Sequence, residues 1–444
     1  MKRYDEYKET NQVWLPFIPK HWDTIKIKYQ FDEISDKNHA DEIPLVASQH
    51  MGVVPKSIYG LRTVEATKGL DLFKRVMVGD FVISLRSFQG GLEFAYYQGI
   101  ISPAYTILRC KNNEFNQYYR YLFKSAVFIK LLTLCVTGIR EGQNIDYATL
   151  KQFSIPVPPS SEQDQIVRYL DWQTSRINKL IKGYKRQIEL LEERKKAVVS
   201  NAIIHGLKKD IPLKDSGVYW IGDIPKHWST IKLRRILSPV SIKNCPDMQL
   251  LSVVREQGVI IRDTENKESN HNYIPDDLSN YKVVRKNQFV INKMKAWQGS
   301  YGVSGYDGLV SPAYFVFNVN FNNLEYFHYA IRSKVYVNFF AQASDGIRVG
   351  QWDLDMQKMK EIPFIVPSEE EQVEIVRYIK KEHKKLDVSI EKWKSKIELL
   401  KEYRTRLISD VVTGQVDVRD IQIPEYIPEE ETEMTDMEVE KDAD

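Results

Sequence analysis

Two kinds of hydrophobic pattern alternate along the chain. Residues 12–155 and 218–364 contain short alternating apolar runs, for example at 80–84 and 314–317, between turns rich in glycine and proline. Such runs predict β-strands. Stretches with helical spacing, at 118–134 and 324–340, interrupt them. The pattern predicts an α+β fold for both segments.

A long run with heptad spacing follows each segment. The first starts after the proline-rich residues 155–159 and ends at Gly206, and the second extends from about Ser368 to Gly414. Apolar residues recur at a and d over five heptads in both runs, which is typical of coiled coils. The d positions are Leu170, Ile177, Tyr184, Leu191 and Val198, then Ile379, Leu386, Trp393, Leu400 and Leu407. Polar a positions fall in matching layers: Thr174 with His383, and Lys195 with Arg404.

The chain is a tandem duplication of a unit of about 206 residues. Ile-Pro-Lys-His-Trp at 18–22 returns at 224–228, Ser-Pro-Ala-Tyr at 102–105 returns at 311–314, and Ile-Val-Arg-Tyr at 166–169 returns at 375–378. The second segment joins the end of helix one to the start of helix two, so those ends must be close. We therefore predict two long antiparallel coiled-coil helices and a pseudo-two-fold axis, which suits a duplex site of matching symmetry.

The predicted boundaries follow from these patterns. They are a first globular domain at 1–155, a first helix at 156–206, a second globular domain at 207–364, a second helix at 365–415, and a tail at 416–444.

The charge is distributed unevenly. Residues 425–444 hold ten acidic residues and one lysine, and without them the net charge of +3 becomes 62 basic against 50 acidic residues, or +12. A basic body suits a polyanionic partner. The acidic tail, with few apolar residues, is predicted to be disordered.

Several classes of protein are disfavoured. No apolar run approaches the ~20 residues that cross a bilayer, the N-terminus does not resemble a signal peptide, and the three cysteines are scattered. The sequence lacks a Gly-Lys pair for a P-loop, an Asn/Asp-Pro-Pro-Tyr/Phe methyltransferase motif and a metal-ligand spacing of histidines. We expect a cytoplasmic protein without a metal or cofactor of its own.

Aligned polar residues in the two copies are candidates for DNA contact. One set joins a cation, an aromatic and an amide before a glycine, and arginine or glutamine can bond to base edges. A second set, Gly-Ile-Arg, suits a phosphate contact. A third set keeps its glycine but differs in its polar residues. Two domains that read different DNA sequences would require such a difference. The candidates are Arg86, Phe88 and Gln89 with Lys295, Trp297 and Gln298; Arg140 with Arg348; and Gln49 and His50 with Arg255.

Structural alternatives remain open at each set. The aromatic could pack on its own sheet, the arginine could form a surface salt bridge, and drift after duplication could explain the third difference. His21 and His227 are interpreted as structural, because the tryptophan that follows each is typical of a core edge.

A self-contained metal-dependent nuclease is an alternative hypothesis for the function. Asp247, Glu265 and Lys267 match the loose pattern Pro-Asp…Glu-x-Lys, which could hold Mg²⁺ and activate water. The pattern is weak, is missing from the first copy, and equally fits a solvated loop. A coiled-coil scaffold without a DNA role is a third hypothesis.

The motifs together resemble those of a known family. Ile-Pro-x-His-Trp opens each unit, and Ile-Pro followed by Glu-Gln-x-x-Ile, with Glu162-Gln163 and Glu371-Gln372, closes it ahead of the long helix. This closely resembles the DNA-specificity subunit of Type I restriction-modification systems, over nearly all of residues 12–418. The acidic tail lies outside the family pattern.

The resemblance implies two target-recognition domains, each reading half of a split asymmetric DNA site, with the helices as a ruler. It also implies that this non-catalytic chain assembles with two methylation subunits, which bind S-adenosylmethionine, and with restriction subunits that use ATP and Mg²⁺. We predict that apolar residues off the helix seam dock the methylation subunits. The candidates are Leu180, Leu190, Val199, Leu399 and Ile408, with Tyr169, Ile203, Tyr378 and Val412 also off the seam.

Overall fold

The chain forms two compact units. The computed structural model describes residues 2–59, 69–85, 87–111, 116–137, 144–208, 210–263, 274–275, 277–348 and 351–429. The first unit contains the described residues of Met1–Tyr184 and Lys394–Glu433, and the second contains those of Lys185–Trp393. Each unit thus combines one globular segment with one half of each long helix.

The first globular segment mixes short strands and helices. Its strands are β1 Tyr7–Gln12, β2 Leu15–Pro19, β3 Asp23–Lys26, β4 Phe31–Ile34, β5 Leu45–Ser48, β6 Gly52–Pro55, β7 Lys74–Val76, β8 Phe81–Ile83, β9 Glu93–Phe94, β10 Gly99–Ile101, β11 Thr106–Cys110, β12 Val136–Thr137, β13 Asn144–Ile145 and β14 Ser154–Val157. Its helices are α1 Ile27–Gln30, α2 Lys56–Tyr59, α3 Ser87–Gly90, α4 Asn116–Leu122, α5 Ala126–Leu134 and α6 Tyr147–Leu150. The long helix α7, Ser160–His205, follows.

The second segment repeats this order. Its strands are β15 Leu213–Asp215, β16 Asp223–Pro225, β17 Ser229–Lys232, β18 Leu237–Val240, β19 Leu251–Val254, β20 Gly258–Ile261, β21 Lys282–Val284, β22 Phe289–Ile291, β23 Tyr301–Val303, β24 Gly308–Val310, β25 Phe315–Val319, β26 Ser344–Arg348, β27 Gln351–Leu354 and β28 Pro363–Val366. Its helices are α8 Leu324–Ile331, α9 Lys334–Gln342 and α10 Met356–Lys360, and the long helix α11, Glu369–Val412, follows.

The two units share one strand topology. A four-stranded antiparallel sheet has the order β4-β11-β8-β9 in the first unit and β18-β25-β22-β23 in the second. The short pairs also correspond: β3-β14 with β17-β28, β5-β6 with β19-β20, and β12-β13 with β26-β27. The predicted mixed α and β content is confirmed.

Each sheet packs on an apolar core. In the second unit, Phe289, Tyr301 and Phe327 lie in one buried cluster that also includes Ile375 and Ile379 of α11. In the first unit, the ring centroids of Phe81 and Phe123 lie 4.9 Å apart in an edge-to-face contact. Such contacts between aromatic rings stabilise a core beyond the area they bury.

The helices predicted at 118–134 and 324–340 are each split in two. α4 ends at Leu122 and α5 begins after Ser125, whose hydroxyl accepts a hydrogen bond from the Phe128 amide. α8 and α9 meet at Ser333, which makes no side-chain cap bond. Both stretches are helical as predicted, and the break at Ser125 was not foreseen because a serine can cap a new helix without disturbing the apolar spacing.

The halves of α7 and α11 run antiparallel within each unit. In the first, Arg404 Nη1 donates to Asn178 Oδ1 at 2.9 Å, and Lys396 Nζ lies 5.4 Å from the Tyr184 ring centroid. In the second, Lys195 Nζ lies 2.7 Å from Asp387 Oδ1, while Val199 and Ile203 share a core with Ile375 and Val376. The predicted d positions are buried or half-buried.

The Ile-Pro-Lys-His-Trp motif of each globular segment binds the first turn of the long helix that follows that segment. Trp22 Nε1 donates to Glu162 Oε2 at 2.6 Å, and His21 Nε2 lies 2.6 Å from Glu162 Oε1. In the second unit, Trp228 Nε1 donates to Glu371 Oε2 at 3.0 Å, and His227 Nε2 lies 2.9 Å from the same oxygen. The two histidines therefore have a structural partner in their own unit.

The same tryptophans contact the end of the other long helix. Gly414 and Gly206 both have a φ of +72°. A Cβ atom would lie 3.1 Å from Trp22 Cη2 at Gly414, and 3.0 Å from Trp228 Cζ2 at Gly206. We call Trp22, Glu162 and Gly414 the tryptophan joint of the first unit, and Trp228, Glu371 and Gly206 that of the second.

Residues 416–429 form an ordered segment on α7. Val416 and Val418 are buried. Gln165 Nε2 donates to the carbonyl of Ile421 at 2.7 Å, and the Glu429 amide donates to Ser175 Oγ at 2.8 Å. The predicted disorder is wrong for this part, because polar side chains of the helix satisfy its backbone. Residues 430–444 lie outside the described residues.

Candidate nucleic-acid interface

A tight loop connects β5 and β6 in the first unit and carries Gln49 and His50. Gln49 is half-buried and His50 is exposed. Gly52, with φ +72°, ends the loop, and a Cβ atom there would lie 2.5 Å from the Phe94 carbonyl oxygen. Only glycine fits this approach, so the loop is held against β9.

The short helix α3 lies beside this loop. A Cβ atom on Gly90 would lie 2.8 Å from Cδ of Gln49. In α3, Phe88 is half-buried and Gln89 is exposed. The structure therefore brings Gln49, Phe88 and Gln89 into one region, with β13 packed against α3. Arg86 and Arg140 lie outside the described residues.

The second unit has the corresponding loop between β19 and β20. Arg255 is exposed there, and Glu256 Oε2 lies 3.5 Å from Lys196 Nζ on α7. Gly258 ends the loop with φ +79°. Its place matches that of Gly52 in the first unit.

An aromatic pair joins Trp297, on the 3₁₀ turn Ala296–Gln298, to Trp352 of β27. The rings of Trp297 and Trp352 have centroids 5.7 Å apart and planes inclined by 31°. Lys293 Nζ lies 2.9 Å from Asp353 Oδ2, which fixes the β26-β27 hairpin to this turn. Trp352 is 37% exposed, so the pair presents a flat apolar face at the surface.

The remaining predicted residues of the second unit lie nearby. Lys295 and Gln298 are half-buried on the same turn as Trp297. Arg348 is the last residue of β26 in the attached hairpin, and its side chain is not among those described. The structure therefore brings the turn Ala296–Gln298 and the β26-β27 hairpin together. The loop with Arg255 lies instead against β23, where Gly258 meets Gly302.

A cation at a helix corner fixes each loop. Lys124, between α4 and α5, donates from Nζ to the Gln49 carbonyl at 3.1 Å, to the Gly90 carbonyl at 3.0 Å and to Glu93 Oε2 at 2.6 Å. Arg332, between α8 and α9, donates from Nη2 to the carbonyls of Arg255 and Glu256, both at 2.9 Å. Its Nη1 also donates to the Tyr301 carbonyl.

Burial shifts the pKa of a different group in each unit. Burial raises the pKa of Glu93 to about 7, against the opposing effect of Lys124. In the second unit, burial and the charge of Arg332 lower the pKa of His328 to about 4. The β-strand register places Gly302 where the first unit has Glu93, since each pairs with a matching valine of the central strand.

Sequence reasoning missed Lys124, Arg332 and Trp352. Lys124 and Arg332 stand directly before Ser125 and Ser333, so alignment of the two copies could have singled out a shared cation. Trp352 gave no such signal, because the first copy has no tryptophan after its Gly-Ile-Arg, at residues 141–147. The hairpin that brings it to Trp297 depends on long-range pairing.

The predicted partner-binding residues differ in exposure. Leu180, Leu190 and Leu399 are 48%, 41% and 63% exposed, and Ile408 is half-buried. Val199 is only 8% exposed, so its assignment to an open surface is wrong. It packs into the core of the second unit, which covers the end of α7. Tyr169, Ile203 and Val412 are buried as well.

Among the described residues, no group of three or more His, Cys, Asp or Glu side chains could hold a metal ion. Asp247 lies on an exposed turn, and Glu265 and Lys267 fall outside the described residues. No helix within the described ranges is long and apolar enough to span a bilayer.

One part of the chain matches the model of a known protein family. Residues 72–190 match the family model described as "Type I restriction modification DNA specificity domain". This range includes α3 with Phe88 and Gln89, and the corner with Lys124. The predicted resemblance is confirmed.

Two curated specificity subunits of Methanocaldococcus jannaschii are similar to the chain. The putative type I restriction enzyme MjaX specificity subunit is 27% identical over 245 residues, 51% of this chain and 56% of the relative. The type I restriction enzyme MjaVIII specificity subunit is 27% identical over 240 residues, 52% and 53% of the two chains. The chain spans about half the length of the curated relatives it matches.

A solved structure shares the fold. It comes from work described as the structural basis of complex assembly and conformational transition of the type I R-M system. It covers 90% of this chain and 99% of its own, with a TM-score of 0.59 and 12% identity. At this identity the likeness concerns the fold alone.

Proposed function

We propose that this chain is the DNA-specificity subunit of a Type I restriction-modification complex. It binds a bipartite, asymmetric DNA sequence, with one half-site for each globular segment. The observation that carries this proposal is the match of residues 72–190 to the DNA specificity domain, because that range contains the candidate reading helix α3. The repeated topology supports a second reading domain.

The candidate reading residues support two different half-sites. Both units offer a glutamine that can pair with adenine, Gln89 and Gln298, but the β5-β6 loop carries Gln49 where the β19-β20 loop carries Arg255, which can bond to guanine. Trp297 and Trp352 add an apolar face that can contact a thymine methyl group or the sugar-phosphate backbone.

The chain selects the site, and its partners perform the chemistry. Two methylation subunits would carry S-adenosylmethionine, and restriction subunits would use ATP and Mg²⁺. Leu180, Leu190 and Leu399 support docking of the methylation subunits, since exposed leucines on a long helix are typical of a protein interface. Charge substitutions of Leu190 and Leu399 should abolish co-purification, whereas the same change at the exposed Val388 serves as the control.

The long helices act as the spacer between the domains. The 46 residues of α7 and the 44 of α11 support this role, as does the presence of one half of each in both units. One heptad added to both helices, after Leu191 and after Leu400, lengthens each by roughly 10 Å, or about 3 base pairs. Mapped methylation sites should then have a longer spacer and unchanged half-sites. An unchanged spacer with full activity would exclude the ruler.

The principal test is selection of DNA by the full chain, together with the subunits that co-purify from its native host. From a random duplex pool we expect enrichment of one bipartite sequence, and weaker binding as salt increases because phosphate contacts release counterions. Incubation of the chain alone with plasmid and Mg²⁺ should give no cleavage. A scaffold would select no sequence, and a self-contained nuclease would cut.

A further inference from the structure

The corners that carry Lys124 and Arg332 are attached to the rest of their units by separate bonds. In the first unit, the Ala126 amide donates to Ser409 Oγ of α11 at 3.0 Å, and Tyr118 OH donates to the Val412 carbonyl at 2.7 Å. The corner is therefore fixed to the long helix. Lys124 extends this connection from α11 to the loop with Gln49 and to the end of α3.

In the second unit the helices that flank the corner are fixed to β28, ahead of α11. The Tyr336 hydroxyl accepts from the Ile365 amide at 2.9 Å, and the Tyr326 hydroxyl donates to the Ile365 carbonyl at 3.2 Å. Arg332 then reaches the carbonyls of Arg255 and Glu256. A Cβ atom on Gly258 would lie 2.9 Å from Arg332 Nη1, so the loop closes directly over the guanidinium.

Backbone contacts of this kind determine loop position without occupying the loop's own side chains. Each cation bonds to main-chain carbonyls and uses no side-chain atom of Gln49 or Arg255. A base contact depends on placement within a few tenths of an ångström, because bidentate bonds to a base edge need both distances and angles to fit.

We propose that Lys124 and Arg332 are positioning residues for sequence reading, each setting the base preference of the half-site read by its own unit. The inference rests on the proposed function, because it assumes that the loops at 49–51 and 255–257 contact DNA. Lys124 and Arg332 do not touch the bases. They act through the carbonyls of Gln49 and Arg255.

The test compares the sequence preference of variants of the full chain, purified with its co-purifying subunits. The probe is a pool of duplexes in which either half-site is randomised. Lys124→Met should reduce discrimination at one half-site by about tenfold, the size of one lost base contact, and leave the other half-site within about twofold. Arg332→Met should do the reverse. Lys124→Arg should restore the preference, because arginine fills this place in the second unit.

Matched controls separate positioning from stability. Lys74 and Lys282 are half-buried lysines whose Nζ atoms donate at 2.6 Å to the carbonyls of Tyr105 and Tyr314, which lie outside both loops in sequence. Lys74→Met and Lys282→Met should lower thermal stability without changing the preferred sequence. Because Lys124→Met leaves Glu93 buried without its cation, the double variant Lys124→Met/Glu93→Gln removes both charges. The second unit has Gly302 at the position of Glu93, so Arg332→Met leaves no carboxylate buried there without its cation.

The outcomes are distinct. If the unsubstituted protein selects no sequence, the proposed function fails. If it selects a bipartite sequence and the substitutions weaken binding equally on all duplexes, Lys124 and Arg332 are structural only and the inference is overturned. A change of preference confined to one half-site for each residue supports it.

Discussion

The two units share a framework but differ at the loops that it supports. Both have the same sheet order and a tryptophan joint of the same composition. At the loops, the first unit combines a lysine with a buried glutamate, whereas the second combines an arginine with a glycine. The contacts that hold each unit together are therefore repeated, whereas the contacts that position its loops have diverged.

The largest expected effect tests the shared framework. Trp22 is completely buried and Trp228 is 1% exposed, so Trp22→Ala and Trp228→Ala should each destabilise their own unit by about 3–5 kcal/mol. Hydrogen exchange measured by mass spectrometry would assign the loss to one unit. Equal losses in both units from either substitution would show that the joints are not separate.

The next prediction concerns the C-terminal segment, which contributes to the first unit. A chain that ends at Gly414 loses the buried Val416 and Val418, and we expect a loss of about 3 kcal/mol. The second unit should keep its stability, as followed by limited proteolysis. A chain that ends after Glu429 is the matched control and should unfold like the full chain.

The two units should respond to pH in opposite directions. The folded pKa of Glu93, about 7, lies above its unfolded value near 4.5, so its stabilising contribution is complete below pH 4.5 and is lost as the pH rises through 7. The folded pKa of His328, about 4, lies below its unfolded value near 6.5, so its contribution is present above pH 6.5 and is lost as the pH falls through 4. From pH 7 to 5, the first unit should gain and the second should lose roughly 2 kcal/mol from these groups.

Glu93→Gln and His328→Gln isolate these contributions. Each substitution should remove the pH response that its residue causes in its own unit, measured by hydrogen exchange at both pH values. Parallel responses in the two variants and the unsubstituted chain would show that other groups dominate.

The smallest effect is expected in the helix seam. Lys195 lies 2.7 Å from the half-exposed Asp387, and Arg404 donates to Asn178 in the matching layer of the other unit. Lys195→Met and Arg404→Met should each change stability by less than about 1 kcal/mol, because partly exposed polar pairs contribute little. Thermal unfolding measures this directly, with substitution of the exposed Lys179 of α7, Lys179→Met, as the reference.

The sequence predicted the parts of the fold that depend on local spacing. The predicted limits of the first long helix, 156–206, lie close to the observed Ser160–His205, because heptads and a closing glycine are local signals. The division between α4 and α5 was missed, since Ser125 fits the helical spacing yet caps a new helix. The ordered residues 416–429 were also missed, because their partners on α7 are about 250 positions away.

The candidate site was accessible to sequence reasoning only in part. Gln49, Phe88 and Gln89 could be found because glycines mark their turns in both copies. That these residues share one region follows from a lysine that bonds carbonyls 75 and 34 positions away, which no spacing rule contains. The burial of Val199 was likewise invisible, since a residue off the helix seam can still face a globular domain.

The globular segment that is synthesised first belongs to the unit that is completed last. Within the part of the chain that the structure describes, the second unit uses one continuous stretch, Lys185–Trp393. The first needs residues from both ends, including bonds from Tyr7 to Gly414 and from Tyr118 to Val412. At about 5–20 residues per second, the N-terminal segment leaves the ribosome roughly 10–50 s before its last partners are made. During this interval Trp22 lacks the glycine that covers it. The nascent first segment therefore exposes apolar surface that a chaperone can bind, and the second unit becomes resistant to protease first.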